Sequence, residues 1–258
     1  MVRGSPTSVG WASDRVRRVP AAAHTLSYYG TGPPNTHPCY DSLMVRCLAA
    51  ICLIAALSTS SGAVQMTLDE RAITEAISIG QSRIDRERVR FHQQYRLTVR
   101  RVPVDWIDVI TPFHRIVLAA EAKARAGNRL FAQREARAAL NEAPGQITLV
   151  LELTFHPLNN FIGVPDYEIA LLGAKGDRVQ PDRVDRYPRS QPRVDTLTPE
   201  LPIPGAAPVL SRGEPLLGGT LVVPFSATRL DPLGRYTVLV AEKGAELVRV
   251  PIDLAGLR

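Results

Sequence analysis

A short apolar segment near the N-terminus constrains the rest of the chain more than any other feature. Residues 47–57 are an apolar run that follows Arg46, and a tail of small residues continues to position 65. A basic start, an apolar core of about ten residues and a small-residue tail are typical of a secretory signal peptide. All of the cysteines lie at or before this run: Cys39, Cys47 and Cys52. The chain beyond it therefore has no disulfide and no cysteine metal cage, and its fold must be held together by packing.

The signal predicts an exported protein, periplasmic or extracellular. We predict cleavage after Ala63, because Ser61 and Ala63 put small residues at the two positions that the peptidase accepts. Residues 47–57 are too few for a membrane span, which needs roughly 20 residues. The alternative is an uncleaved membrane anchor through this segment. Residues 1–43 are rich in Gly, Pro, Ser and Arg without an apolar period, which predicts disorder and suggests an over-extended start ahead of Met44.

Removal of the N-terminal segment also changes the charge. Five of the 31 basic residues and two of the 25 acidic residues precede Met66, so the net charge falls from +6 to +3. This small excess is a weak argument for nucleic-acid binding. We therefore expect a protein or an envelope component as partner, with a membrane surface as a possibility and no disulfide-linked partner.

Residues 67–143 have a helical pattern. Thr67 and Glu70 have the spacing of a capping box, and apolar residues then recur at helical intervals, which predicts one helix over about 68–95. Residues 96–110 are rich in β-branched side chains around Pro103, which predicts a short extended hairpin. Thr111-Pro112 predicts the start of a helix that stops at Gly127-Asn128. A further helix is predicted over about 129–142.

Residues 146–258 have a β pattern. Apolar residues alternate with mostly polar ones over 147–156, which predicts a strand with one buried face. Further strands are predicted at about 167–172, 220–226, 236–242 and 246–254, with a hairpin turn at 243–245. The proline-dense stretch of about 177–208 is predicted to be an irregular surface connection, since proline is excluded from regular helix and from central strands.

The segment 230–240, Leu-Asp-Pro-Leu-Gly-Arg-Tyr-Thr-Val-Leu-Val, resembles the tyrosine corner of immunoglobulin-like and fibronectin type III-like sandwiches. The resemblance covers the last third of the chain. It implies that Tyr236 enters the penultimate strand and that its hydroxyl bonds back to the preceding connection. The tryptophan and the intersheet disulfide of true immunoglobulin domains are missing. The expected fold is α+β, an N-terminal α-helical region followed by a C-terminal antiparallel Ig-like β-sandwich.

Residues that could carry chemistry form no recognisable motif. The three histidines beyond the signal, His92, His114 and His156, lie in different elements and lack the spacing of a zinc site. We interpret them as surface or hydrogen-bonded residues. Asp105 and Asp108 could act as paired carboxylates, but we interpret them as a helix cap and a surface charge. No catalytic residue, cofactor or metal ligand is therefore assigned.

A dense group of arginines lies at positions 83–101, where seven arginines face only Asp85 and Glu87. Three of them, Arg83, Arg86 and Arg90, are candidates for contact with an anionic surface. An ordinary solvated helix face is the interpretation that we prefer.

The sequence favours a non-enzymatic periplasmic or secreted interaction module that presents loops or an edge strand to a partner. One alternative is an envelope enzyme with its site at the junction of the helical and β parts, using residues such as His114 or Asp108. Another is an envelope-associated scaffold that uses the basic helix. Histidines that meet a carboxylate in a cleft would favour the enzyme.

Overall fold

The structure, a computed structural model, describes residues 64–192, 198–199 and 215–258. The signal segment, Ala63 and most of 193–214 lie outside these residues. The described chain contains four α-helices and two antiparallel sheets, one of five strands and one of four, so the α+β class is correct at this level.

The first two helices are separate, so the single helix expected over 68–95 is wrong. Helix α1 is Glu70–Gly80 and α2 is Asp85–Gln93. The N-cap of α1 is Asp69, whose carboxylate accepts from the Ala72 N–H at 2.7 Å, and not Thr67. A Cβ atom at Gly80 would lie 2.4 Å from the carbonyl oxygen of Val117. The glycine therefore allows close helix packing, and the chain turns immediately after it.

Helix α3, Pro112–Arg125, begins as expected. The Thr111 hydroxyl accepts from the His114 N–H, and proline occupies the first helical position. Helix α4 is Gln133–Asn141 and starts four residues later than expected. The side chain of Asn128 accepts from the Leu130 N–H and holds the preceding segment in a turn.

The expected hairpin is confirmed as β1, Arg96–Arg101, and β2, Val104–Ile110. Helices α3 and α4 follow it, and β3 is Gln146–Thr154. The remaining strands are β4, Tyr167–Gly173; β5, Arg178–Val179; β6, Asp185–Arg189; β7, Gly218–Ser226; β8, Arg235–Glu242; and β9, Ala245–Asp253. Strands β5 and β6 lie in the stretch expected to be irregular, so that expectation is wrong for these residues. Pro188 in β6 is tolerated because this strand lies at a sheet edge.

The five-stranded sheet has the order β1-β2-β3-β7-β6, and the four-stranded sheet has the order β5-β4-β8-β9. The early hairpin thus belongs to the same sheet as strands near the C-terminus. Strand β3 is buried on both faces, contrary to the expected single buried face. Its outer face is covered because Val150 packs with Ile110 and with Leu118 of α3.

One hydrophobic cluster contains side chains from both sheets, including Ile107, Leu149, Leu151, Leu221, Ile169, Leu171, Val238 and Val240. A second cluster joins α1, α3 and α4 and includes Ile73, Ala76, Phe113, Ile116, Val117 and Ala136. The helices thus form their own apolar layer, and Phe91 packs against both clusters.

The strands define two ends. At the loop end lie the hairpin turn 102–103, the connection 155–166 and the hairpin turn 243–244, because Val104 pairs with Leu153 and Tyr167 pairs with Glu242. At the helix end, β2 runs into α3 and the connection 227–234 joins β7 to β8. There Ile110 pairs with Thr148, and Ala227 donates to the carbonyl of Gly145 at 2.7 Å.

Candidate functional site

Two of the three histidines meet inside the protein at the helix end. His92 lies on the last turn of α2 and His114 on the first turn of α3. Nδ1 of His92 lies 3.0 Å from Nε2 of His114, and Nδ1 of His114 lies 3.0 Å from the carbonyl oxygen of Val109. The rings of Tyr95 and Phe91 pack on His114. This contact ties α2 to α3 and to the end of β2.

Glu121 of α3 completes the network. Its Oε2 lies 2.7 Å from Nε2 of His92, and its Oε1 accepts from Arg88 at 3.1 Å and from Arg125 at 2.8 Å. Thr198 also donates to Oε1, at 3.4 Å. The two histidines and Glu121 are almost wholly buried, with exposures of 1%, 0% and 2%. We call His92, His114 and Glu121 the buried triad.

The surroundings of the triad set its charges. Burial lowers the pKa of His114 to about 3, although its bond to the carbonyl of Val109 acts in the opposite direction. This histidine is therefore neutral at physiological pH. Burial alone would raise the pKa of Glu121, but the hydrogen bond and charge of His92, with Arg125 and Arg88, outweigh it and lower the pKa. Glu121 is therefore a carboxylate.

The triad is closed to substrates. A general acid or base must reach its substrate, directly or through one water molecule, and none of the three side chains reaches the surface. Two histidines do meet a carboxylate, but in the interior and not in a cleft. The third histidine, His156, is not part of this network, since it lies at the loop end and is exposed. Among the described residues, no group of three or more His, Cys, Asp and Glu side chains could hold a metal ion.

Asp105 and Asp108 do not form a pair. Asp105 accepts a hydrogen bond from Thr154. Asp108 is buried and binds both Nε and Nη2 of Arg96, at 2.8 and 3.0 Å. The guanidinium of Arg96 lies 4.7 Å from the centre of the Trp106 ring. The interpretation of Asp108 as a surface charge is therefore wrong, since it holds a buried ion pair.

The loop end carries exposed apolar side chains on the connection 155–166. Leu158 is 87% exposed and Ile162 is 96% exposed. Val102, in the neighbouring hairpin turn, is 78% exposed. Pro103 of that turn accepts a hydrogen bond from the Thr154 N–H at 2.8 Å, which places the turn beside the start of the connection. We call the segment His156 to Gly163 the apolar loop.

The arginine group divides into two sets. Arg88 and Arg96 have structural partners, Glu121 and Asp108. Arg83, Arg86 and Arg90 are exposed, and none of the three forms an ion pair with another described residue. Arg86 and Arg90 are four residues apart on α2 and share one face. Arg90 also borders a surface groove of about 430 Å³ between α1 and α2, lined further by Ser78, Ile79, Ser82, Glu87, Phe91 and Gln94.

Tyr236 lies at the start of β8, and its hydroxyl accepts a hydrogen bond from the Asp231 N–H at 2.6 Å. This bond returns to the connection that precedes the strand, at the position that the tyrosine-corner resemblance implies.

Sequence reasoning missed Glu121 altogether. A signal was available, because His114 and Glu121 are seven residues apart and both lie beside the apolar positions Ile116, Val117 and Ala120 of α3. Polar residues on the buried face of a helix need partners. The identity of the partner on α2 required the tertiary structure.

Comparison of the chain with protein-family models, curated proteins and solved structures finds no match. None of the helices in the described part of the chain is both long enough and apolar enough to cross a membrane.

Proposed function

We propose that this chain is an exported, non-enzymatic interaction module, in which an Ig-like β-sandwich presents its loop end to a protein of the cell envelope. The observation that carries the proposal is the apolar loop, which is fixed by its own hydrogen bonds while Leu158 and Ile162 remain in solvent.

The strand order supports the Ig-like part of this proposal. In immunoglobulin-like sandwiches, the strands are lettered A to G along the chain. One sheet has the spatial order A-B-E-D and the other has the order C-F-G. Strands β2, β3, β7 and β6 have the first order, and β4, β8 and β9 have the second, with β5 beside β4. The hydrogen bond of Tyr236 lies at the start of the strand that corresponds to F. In such sandwiches, the B–C and F–G loops at one end form binding surfaces, and here these are the apolar loop and the turn 243–244.

The apolar loop is preorganised. The side-chain amide of Asn159 donates to the carbonyls of His156 and Leu216, each at 2.7 Å, and its Oδ1 accepts from the Phe161 N–H at 2.9 Å. The Phe161 ring packs edge-on against Phe155, 5.1 Å between centres. A loop that is already ordered loses little conformational entropy on binding. Its exposed leucine and isoleucine can each gain about 1.5–3 kcal/mol when a partner buries them.

Binding through an edge strand is less well supported. The edge strands are β1, β6, β5 and β9. Strand β5 has two residues, β6 contains Pro188 and β9 contains Pro251. In β1, Arg100 has a positive φ of 49° next to a register shift. Short strands, prolines and irregularities protect edges from pairing with other chains. We therefore assign binding to the loops.

The test is capture of partners from envelope extract of the source cells by the purified protein. We expect a crosslinked or co-purified protein whose recovery falls at least about tenfold with the double variant Leu158→Asp and Ile162→Asp, since the burial of two apolar groups is lost. Leu130→Asp is the matched control, because Leu130 is equally exposed, at 87%, but lies between α3 and α4. It should leave recovery unchanged.

Two outcomes would contradict the proposal. One is equal recovery with the double variant and with the wild type, provided that both have the same thermal unfolding curve. The other is no protein recovered above the level of the empty resin.

A second candidate is contact of α2 with an anionic envelope surface, as in the scaffold alternative. The exposure of Arg83, Arg86 and Arg90, without ion-pair partners in the described chain, favours it. The enzyme alternative is not favoured by a comparable observation, because His114 and Asp108 are buried and bonded.

A further inference from the structure

The buried triad has more hydrogen bonds than two neutral imidazoles can supply. A chain of hydrogen bonds runs from the carbonyl of Val109 through His114 and His92 to Glu121. It contains three short contacts, of 3.0, 3.0 and 2.7 Å. Each contact needs one hydrogen. A carbonyl and a carboxylate can only accept, so Nδ1 of His114 and Nε2 of His92 must each carry a hydrogen. Two neutral imidazoles have no further hydrogen.

The two inner nitrogens therefore face each other with nothing between them if both histidines are neutral. Nδ1 of His92 and Nε2 of His114 would then present lone pairs at 3.0 Å. This arrangement is repulsive, and both atoms lie in the interior, where an unmet acceptor is costly. A third hydrogen removes the repulsion and completes the chain.

We infer that His92 and His114 share a trapped proton at neutral pH, as a buried imidazole–imidazolium pair whose charge is balanced by Glu121. The triad is thus a proton-binding site that fastens α2 to α3. The two rings differ in their outer partners, because His92 contacts the carboxylate of Glu121 at 2.7 Å whereas His114 donates to the neutral carbonyl of Val109 at 3.0 Å.

The neighbouring charges are compatible with one extra positive charge. Arg88 contacts Asp85 as well as Glu121, and Arg96 is neutralised by Asp108. Arg125 is half exposed, so water screens it. The groups that face the pair from the packed elements are Arg88, Tyr95, Arg96, Asp108, Glu121, Arg125 and Arg258.

A metal ion is a poorer bridge than a proton. Zinc sites in proteins use three or four protein ligands. The two facing nitrogens supply two, Glu121 contacts the opposite side of the His92 ring, and among the described residues no group of three or more His, Cys, Asp and Glu side chains could hold a metal ion.

The trapped proton has a measurable consequence. In the unfolded chain both imidazoles titrate near pH 6.5. Relative to two neutral rings, the unfolded pair therefore binds about two additional protons at acid pH and none at alkaline pH. The folded pair holds one in both conditions. Stability contributed by the triad is therefore greatest near about pH 6.5 and falls on both sides, by up to about tenfold in the folding constant per pH unit.

The decisive variant is Glu121→Gln. Its amide can donate to Nε2 of His92, so the chain of three hydrogen bonds is complete with two neutral imidazoles. We expect denaturant unfolding of the full chain between about pH 5 and about pH 9 to show the loss of stability in alkali for the wild type and not for Glu121→Gln. His156→Gln, at an exposed histidine, is the matched control and should keep the wild-type profile.

Nitrogen-15 spectra of histidine-labelled wild-type protein at about pH 8 provide a readout that does not depend on the variant. We expect three ring N–H groups for His92 and His114 together. Two ring N–H groups would overturn the inference. So would an equal fall in the free energy of unfolding at alkaline pH for wild type and Glu121→Gln. The inference would also be overturned if the loss of stability at alkaline pH disappeared when a chelator was added, because the bridge would then be a metal ion.

Discussion

The two ends of the β part place their side chains in opposite ways. At the helix end, charged and titratable groups lie inside the protein, where Glu121 and Asp108 bind Arg88 and Arg96. At the loop end, Leu158 and Ile162 lie in solvent on a loop that is ordered by Asn159. Buried charge is stable only when it is paired, and clustered exposed apolar groups often mark interaction sites. The ion pairs of the helix end therefore join elements inside the protein, and the loop end is the part for which we propose binding.

The largest expected effect comes from removing the carboxylate at the helix end. Glu121→Ala leaves His92, Arg88 and Arg125 without their shared acceptor, and we expect a loss of about 3–5 kcal/mol in the free energy of unfolding. Urea unfolding at pH 7 measures it. Glu142→Ala, at an exposed position, should change stability by less than about 0.5 kcal/mol. A loss below about 1 kcal/mol for Glu121→Ala would mean that the buried triad does not stabilise the helix end.

How far the structure could be predicted from the sequence depends on the range of the contacts, at both ends of the molecule. Local signals were sufficient where a short segment determines its own structure. Thr111-Pro112 starts α3, and the residues around Pro103 form the hairpin. The turn at Lys243-Gly244 is also where it was expected, since both residues have positive φ, 51° and 81°.

Long-range contacts explain the failures. The break between α1 and α2 follows Gly80, whose role depends on the distance to Val117 of another helix. The burial of both faces of β3 depends on Leu118 of α3. The buried triad joins residues 92, 114 and 121 across two helices, with no spacing motif to reveal it.

A second prediction tests whether the exposed arginines of α2 bind an anionic surface. The charge reversal of Arg83, Arg86 and Arg90 to Glu should reduce association with anionic vesicles at low salt by about 100-fold, at about 1 kcal/mol per basic residue. Co-sedimentation with vesicles rich in anionic lipid measures it. The matched control is reversal of Arg129, Arg134 and Arg137, which are also exposed and give the same change in net charge.

Equal loss with both triple variants would indicate a general charge effect, and no loss with either would leave α2 as a solvated helix face. Either result would remove the second candidate, contact of α2 with an anionic surface.

The smallest expected effect concerns the connection 227–234, which closes the helix end of the four-stranded sheet. Tyr236→Phe removes the acceptor of the Asp231 N–H, a bond of 2.6 Å in a partly buried site, and should cost about 1–2 kcal/mol. Tyr187→Phe is the control, because Tyr187 is a half-buried tyrosine of β6, in the other sheet. Thermal and urea unfolding give the free energies, and hydrogen exchange of the Asp231 amide locates the effect. If that amide exchanges equally fast in Tyr236→Phe and wild type, the hydroxyl does not fix the connection. The Ig-like assignment would then depend on strand order alone.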